Sequence, residues 1–253
     1  MKQGNYTSLA KYYVQRAGYS DDIIDLLVYK ISQNKSSFKV AEIGAGTGKL
    51  TKQLLKRGLN VVAVEPNDSM REEGIKFTSE YDIEWLKGTA ETTGLPDNTY
   101  DWVIMASSFH WTDATKSLPE FSRILKDKGY LTTLWNPRDI QRSQIEMKVE
   151  EIIYDKAPNI KRKSSGASKY TQEMDDLLLS TDNFVNPIFL EARHKEIMEK
   201  ERYIDVWKSV NDVQVQAGPE NWEKILVGIK AEIKKLDTVT VAYKTRAWLV
   251  QKK

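Results

Sequence analysis

The chain has 253 residues, 40% of them hydrophobic and 29% charged, and its 38 basic and 36 acidic side chains leave a formal net charge of +2. This composition is ordinary for a soluble globular protein, and the small net charge gives no overall field to hold nucleic acid or an anionic membrane. Cysteine is absent, which excludes disulfides, iron–sulfur clusters, cysteine-ligated zinc and a cysteine nucleophile. Because His110 and His194 are the only histidines, we expect no metal site.

The sequence contains no apolar run of about 18 residues, the length that a transmembrane helix needs, and its first residues lead into no signal-peptide segment. We therefore expect a cytoplasmic protein that has no membrane or nucleic-acid partner and exists as a monomer or homodimer. Its length fits one large α/β domain with an insertion, or two small domains.

Short apolar runs alternate with amphipathic segments in the first half of the chain. The predicted strands cover residues 38–43, 60–64, 83–86, 102–106 and 131–135. The predicted helices cover residues 49–56, a segment capped at 67–69, and 114–125. Strands that are separated by helices favour a parallel, doubly wound sheet.

The second half of the chain is less regular. Its predicted helices cover residues 141–154, 172–180, 203–213 and 222–236. A polar loop is predicted at 158–169, and strands are predicted at 187–198 and 238–250. This order fits a late antiparallel hairpin with a helical insertion.

A glycine-rich turn follows the first predicted strand, in the run Glu42-Ile43-Gly44-Ala45-Gly46-Thr47-Gly48. Glycines are needed where the backbone turns sharply and approaches a ligand closely. Glu65 ends the next strand, about 20 residues on, where a carboxylate can accept hydrogen bonds from both ribose hydroxyls. Lys49 stands where a dinucleotide-binding fingerprint has its third glycine, and the Leu50 that follows it excludes a P-loop. Glu42 could serve a ligand that carries an ammonium group.

The run from Glu42 to Gly48 resembles motif I of the class I S-adenosylmethionine (SAM)-dependent methyltransferases. Val64-Glu65-Pro66-Asn67-Asp68-Ser69-Met70 is similar to the segment after that family's second strand. Gly88-Thr89-Ala90-Glu91 resembles the third block, which lines the adenine edge, although many members carry aspartate where this chain has Thr89.

Two further segments resemble the trans-aconitate methyltransferase-like members of this family. Ser107-Ser108-Phe109-His110-Trp111 is similar to their histidine–tryptophan variant of the fourth-strand end. Tyr13-Val14-Gln15-Arg16-Ala17-Gly18-Tyr19 is similar to their N-terminal helix, and residues 134–139 match their fifth-strand end. The resemblance covers roughly residues 6 to 139.

The resemblance implies a Rossmann-like sheet of seven strands in the order 3-2-1-4-5-7-6, with the first five strands parallel and a helical cap. The chain is then one domain, residues 1–253. N-terminal helices occupy 1–37, the SAM-binding core occupies 38–139, and the acceptor-side half occupies 140–253 with a helical insertion at about 196–237.

The resemblance also implies SAM as the cofactor and a set of residues that bind it. These residues are Tyr13, Arg16, Glu42, Gly44, Ala45, Gly46, Glu65, Pro66, Met70, Thr89, Ala90, Glu91, Ser107 and Trp111. Arg16 is expected to bind the SAM carboxylate. His110 is a candidate general base, because the pKa of histidine suits that role, or else it shapes the pocket.

We expect transfer of a methyl group from SAM to a small-molecule acceptor at oxygen, on an anionic, phosphorylated or sugar-linked metabolite. Cations for such an acceptor would come from Arg138 or from the loop Lys161-Arg162-Lys163. His194, in a charged strand, is expected to be exposed and inert. The alternatives are a catalytically inactive SAM-binding protein and a nicotinamide-dependent reductase, which the missing third glycine disfavours.

Overall fold

One mixed sheet organises this computed structural model, which describes residues 6–32, 38–162 and 173–253. Within these ranges the strands are β1 (Lys39–Ile43), β2 (Asn60–Val64), β3 (Glu84–Leu86), β4 (Tyr100–Ala106), β5 (Leu125–Trp135), β6 (Phe184–Met198) and β7 (Val239–Lys252). Their order is 3-2-1-4-5-7-6. Strands β1 to β5 pair in parallel, whereas β7 runs antiparallel to both β5 and β6. The predicted fold class, strand order and late hairpin are confirmed.

Helices connect most of the parallel strands and form a large part of the second half. They are α1 (Ala10–Tyr13), α2 (Asp21–Ser32), α3 (Lys49–Leu55), α4 (Asp68–Phe77), α5 (Ala114–Ile124), α6 (Gln144–Lys156), α7 (Met174–Leu179), α8 (Lys200–Lys208) and α9 (Asn211–Ile233). Side-chain caps fix several starts: the Asn67 side chain accepts a hydrogen bond from the Met70 amide at 3.1 Å, and Asp113 accepts one from Thr115 at the same distance.

Three apolar clusters hold the layers together. One fills the sheet face under α5 and includes Phe121, and a second fills the opposite face under α2 and α3 and includes Leu27. The third joins α6, α8 and α9 to β7 around Trp207. Burial of apolar surface in these clusters is the main term that favours the fold.

The N-terminal segment differs from the expected helix. Helix α1 ends at Tyr13, and residues 14–20 form a turn and an extended stretch. In that stretch the Tyr19 amide donates a hydrogen bond to Gln53 Oε1 at 2.9 Å, and Gln53 Nε2 donates one to the Tyr19 carbonyl at 2.8 Å. These bonds to α3 replace the helical bonds that the segment would otherwise make.

The cap helices are also divided differently from the prediction of 203–213 and 222–236. Val210 adopts an extended backbone (φ −84°, ψ 93°) and separates α8 from α9. Helix α9 is then interrupted at Gly218 (φ 73°, ψ 166°), directly before Pro219. Proline disfavours a helical conformation in the residue that precedes it, and glycine tolerates the positive φ.

None of the helices in the described ranges has the length and apolar character to cross a membrane.

Candidate active site

The glycine-rich turn lies where β1 ends at the carboxyl edge of the sheet. The backbone takes positive φ at Gly44 (68°) and Gly46 (60°), which favours glycine. A Cβ added at Gly44 would also lie 2.7 Å from Ser108 Oγ, too close for any side chain. The Gly44 and Ala45 amides both donate to the Val64 carbonyl, at 2.8 and 3.1 Å, so the end of β2 holds the turn in place.

Glu65 braces the same turn from the end of β2. Its Oε2 accepts a hydrogen bond from the Gly46 amide at 2.8 Å, and its Oε1 accepts one from the Asn67 amide at 2.9 Å. Burial raises the pKa of the Glu65 carboxyl, and these two amide donors oppose that shift. The carboxylate is thus fixed in position on the wall of a cavity.

Glu42 is a buried carboxylate on the wall of the same cavity. Its Oε2 accepts a hydrogen bond from the Thr51 hydroxyl at 2.6 Å, whereas its Oε1 has no hydrogen-bond partner among the described residues. Burial raises the pKa of Glu42 to about 8. A ligand ammonium group would supply the missing partner and favour the ionised carboxylate.

The first cavity has a volume of about 350 Å³ and lies between the glycine turn and the N-terminal segment. The predicted cofactor-binding residues on its wall are Tyr13, Glu42, Gly44, Ala45, Gly46, Glu65, Pro66, Met70, Thr89, Ala90, Glu91, Ser107 and Trp111. Only Arg16 of the predicted set is not among the described residues that line it. The residues that the sequence prediction missed are Tyr6, Tyr19, Thr47, Lys49, Leu50, Asn67, Met105, Ala106, Ser108 and Thr112.

Most of the missed residues adjoin motif positions in sequence and could have been found from that proximity. Tyr19 could also have been found, because it ends the quoted segment 13–19, whereas Tyr6 could not, because it reaches the cavity only through the course of the N-terminal segment. Burial raises the pKa of Tyr6 to about 12 and also raises that of Tyr19, whose hydroxyl donates to Ser107 Oγ at 3.1 Å. Both phenols therefore stay protonated at neutral pH.

A second cavity, of about 250 Å³, adjoins the first and extends towards the end of α8. The two cavities share Tyr6, Tyr13, Tyr19, Lys49, Ser107 and Trp111 in their walls. The second is also lined by His110, which follows β4, and by Trp135 at the end of β5. The other lining residues include Val206 on α8, Val210 after α8, and the charged residues Arg16, Arg138, Arg162 and Asp212. A ligand in one cavity would therefore lie next to a ligand in the other.

Arg16 lies on the wall of this second cavity. Its guanidinium is 3.9 Å from the centre of the Tyr13 ring. Nε donates to Ser209 Oγ and Nη2 donates to the Ser209 carbonyl, both at 2.9 Å. Arg16 thus ties the N-terminal segment to the end of α8, a contact between distant parts of the sequence.

His110 contacts Trp135 at the base of the second cavity. Its Nδ1 accepts a hydrogen bond from Trp135 Nε1 at 3.3 Å, which assigns the proton of the neutral ring to Nε2. Burial lowers the pKa of His110 to about 4. His110 is therefore a weak base at neutral pH and presents an N–H donor instead.

The cations that were predicted to bind the acceptor differ in their surroundings. Arg138 is not a free cation at the mouth of the pocket, because its Nε lies 3.3 Å from Glu146 Oε2 and its guanidinium stacks 4.1 Å from the Trp207 ring. Arg162 lies 3.4 Å from Glu150, and Lys161 is exposed. Lys163 lies outside the described residues.

The prediction that His194 is exposed is wrong. Its ring is half-buried, stacks on Tyr243 and hydrogen-bonds through Nε2 to Asn136 Oδ1 at 2.9 Å. The pairing of β6 with β7 brings these residues together. His194 lies near the end of β5 but does not line either cavity described above.

Comparison with known proteins identifies methyltransferase relatives of this chain. A family described as a methyltransferase domain matches residues 41–133. An uncharacterized methyltransferase of Mycobacterium tuberculosis is 39% identical over 124 residues, which are 49% of this chain and 48% of that protein. One from Geobacillus thermodenitrificans is 30% identical over 152 residues, 58% of this chain and 67% of that protein. The chain spans about half the length of the mycobacterial relatives.

Solved structures share the fold. The YcgJ protein of Bacillus subtilis superposes with a TM-score of 0.55 at 16% identity, covering 92% of this chain and 99% of that one. Phosphoethanolamine N-methyltransferase 2 of Haemonchus contortus, in complex with SAM, has a TM-score of 0.55 at 13% identity, covering 97% of this chain and 57% of that one.

The cavity fits the cofactor of this family. SAM carries an α-ammonium group, and Glu42 Oε1 is a buried carboxylate oxygen without a hydrogen-bond partner in the part of the chain that the structure describes. Side chains at Gly44 would close the turn against Ser108. With the matched domain, the relatives and the strand order, these features establish that the chain belongs to the class I SAM-dependent methyltransferase family.

Proposed function

We propose that this protein transfers the methyl group of SAM to an oxygen atom of a small anionic molecule that binds in the second cavity. The observation that carries the proposal is that an arginine-lined cavity shares its wall with the cofactor cavity. The proposal places the protein in the trans-aconitate methyltransferase-like group, on the resemblance of residues 13–19 and 107–111. It takes residues 38–139 as the SAM-binding core and residues 140–253 as the acceptor-side half of one domain, acting in the cytoplasm as a monomer or homodimer.

The cofactor would be held at both of its ends. Glu65 would accept hydrogen bonds from the ribose hydroxyls, and Glu42 would pair with the ammonium group. Met70 and Ala90 would flank the adenine. Bound SAM supplies a methyl group on a positively charged sulfur, which is already activated for transfer. The protein then contributes alignment and exclusion of water, through the cavity walls and the aromatic pair Tyr6 and Trp111.

The charges around the second cavity favour an anionic acceptor. Arg138 and Arg162 are partly balanced by Glu146 and Glu150. The hydrogen bonds described for Arg16 go to Ser209, which is neutral. Guanidinium groups are well suited to bind carboxylate or phosphate oxygens. Arg16 would therefore serve the acceptor. Arg162 would serve it as well, because its Nε and Nη1 have no hydrogen-bond partner among the described residues.

The reaction would need no general base from the protein. His110 has a pKa of about 4, and burial keeps Tyr6 and Tyr19 protonated at neutral pH. An acceptor oxygen that is already ionised, such as that of a carboxylate or phosphate, needs no base to become a nucleophile. His110 Nε2 would donate a hydrogen bond within the cavity and so help to orient the acceptor.

The test is a screen of small carboxylates and phosphates, with neutral alcohols and amines as the comparison set, for formation of S-adenosylhomocysteine in the presence of SAM. Turnover confined to anionic compounds would support the proposal. Turnover of neutral acceptors alone would refute the anionic assignment. SAM binding without turnover of any compound would favour the inactive SAM-binding alternative, and binding of NADH in place of SAM would favour the reductase.

We expect the rate of methyl transfer to show no acid limb near pH 6.5, because His110 titrates near pH 4 and is neutral throughout the range from pH 6 to 8. His110→Asn should lower kcat less than about tenfold and leave the shape of the pH profile unchanged. The measurement is kcat from pH 5.5 to 8.5 for both proteins. A limb near pH 6.5 that disappears in the variant would identify His110 as a base.

Arg162→Gln should raise the KM for an anionic acceptor about tenfold while leaving SAM affinity unchanged, because the charge-assisted contact to the acceptor is lost. Lys161→Gln is the matched control, since Lys161 is adjacent in sequence but exposed and does not line the second cavity. Steady-state kinetics with the acceptor found in the screen would measure both. Equal KM values for the two variants would remove Arg162 from the acceptor site.

A further inference from the structure

Lys49 occupies an unusual place in the cofactor cavity. It follows the glycine turn directly and lines the first and second cavities. Among the described residues that line the first cavity, it is the only lysine or arginine, whereas Glu42, Glu65 and Glu91 all line it. The cofactor carries one anionic group, its carboxylate, beside an ammonium and a sulfonium. One cation among several carboxylates matches that distribution of charge.

The Lys49 ammonium group has no anionic partner in the described parts of the chain. Its Nζ lies 4.5 Å from the centre of the Phe77 ring, and neither an ion pair nor a hydrogen bond to a carboxylate is formed there. The nearby Glu196 is already paired with Arg202. Burial, together with Arg202, lowers the pKa of Lys49 to about 8. An ammonium group that is partly removed from water and forms no ion pair is stabilised when an anion binds beside it.

Lys52, one turn further along α3, provides the contrast. Its Nζ lies 4.7 Å from the same Phe77 ring, but it also donates to the Phe77 carbonyl at 3.2 Å and lies 3.1 Å from Glu80. Lys52 is not among the residues that line the first cavity. It lines a different cavity of about 420 Å³ on the outer side of α3, and Lys49 lines that cavity too. Two lysines on one helix therefore differ in whether a partner is already present.

We propose that Lys49, rather than Arg16, binds the carboxylate of the cofactor. Arg16 lies on the wall of the second cavity with Nε and Nη2 bonded to Ser209. Lys49 lines the cofactor cavity, and its four-carbon side chain is flexible, so its ammonium group can turn from Phe77 towards the ligand. This assignment rests on the proposed use of SAM and deepens it, because it separates the cation that serves the cofactor from the one that serves the acceptor.

The experiment is calorimetric titration of the full chain with two ligands, SAM and decarboxylated SAM, which lacks only the carboxylate. The variants are Lys49→Met, the matched control Lys52→Met, and Arg16→Gln. We expect Lys49→Met to weaken SAM binding about 10- to 100-fold and to leave decarboxylated SAM within about threefold of its wild-type affinity. Lys52→Met and Arg16→Gln should bind both ligands as the wild type does, and Lys49→Arg should recover most of the lost affinity for SAM.

The outcomes separate this inference from the proposed function. Wild-type protein that binds neither ligand would overturn both. Wild-type binding of SAM with no selective loss in Lys49→Met would overturn only the assignment of Lys49. A selective loss of SAM affinity in Arg16→Gln would return the carboxylate to Arg16. Circular dichroism of each variant, and its retained affinity for decarboxylated SAM, show whether the fold and the remainder of the site are intact.

Discussion

Glu146→Leu is expected to lower the free energy of unfolding by about 3–5 kcal/mol, because it removes one partner of a buried ion pair. Glu146 is fully buried on α6. Its Oε1 accepts a hydrogen bond from the Tyr203 hydroxyl at 2.5 Å, and its Oε2 lies 3.3 Å from Arg138 Nε. Leucine has a similar volume but cannot accept a hydrogen bond or balance the charge. The change would leave a guanidinium and a phenol buried without their partner.

Urea denaturation followed by circular dichroism would measure the effect. Glu151→Leu is the matched control on the same helix, since Glu151 is exposed and its ion pair with Lys148 lies at the surface. It should change stability by no more than about 0.5 kcal/mol. Burial alone would lower the pKa of Arg138, but the Glu146 carboxylate reverses the shift, which indicates how closely the two charges are coupled. A loss below about 1 kcal/mol in Glu146→Leu would show that water or another residue compensates Arg138.

Glu65→Ala should weaken SAM binding by about 1.5–3 kcal/mol, or roughly 10- to 150-fold, as expected for loss of charge-assisted hydrogen bonds. The same change removes the acceptor for the Gly46 and Asn67 amides, so the glycine turn also loses a brace. Glu65→Gln should give an intermediate loss. Its single amide oxygen can replace only one of the two carboxylate oxygens, and its NH₂ group would face a backbone donor.

Calorimetry with SAM measures this effect, and Glu72→Ala supplies the control. Glu72 is an exposed acid on α4 that does not line the cofactor cavity, so its replacement should leave SAM affinity unchanged. Unchanged affinity in Glu65→Ala would remove Glu65 from the ribose site. A loss accompanied by unfolding would instead assign the role of Glu65 to bracing the turn.

The parts of the molecule that local sequence determined are the sheet and the glycine turn. Residues 60–64 were predicted as a strand and form β2 with the same bounds. A short apolar run beside turn residues is typical of a buried strand. The positive φ values at Gly44 and Gly46 favour glycine whatever the surroundings. The position of Glu65 beside the glycine turn follows from its place at the end of β2, because the carboxyl ends of neighbouring parallel strands meet at one edge of the sheet.

The tertiary structure decided the surroundings of the charged residues. Arg16 lies in the second cavity because Ser209, 193 residues away in sequence, accepts its hydrogen bonds. Arg138 is buried against Glu146 and Trp207, and His194 is half-buried because β6 pairs with β7. Lys49 forms no ion pair with any described residue, and the nearby Glu196 is bonded to Arg202. A motif specifies the backbone conformation of a few neighbouring residues. The partner of a charged side chain instead depends on which distant segments the fold brings within about 4 Å of it. The spacing of apolar residues along the sequence does not contain that information.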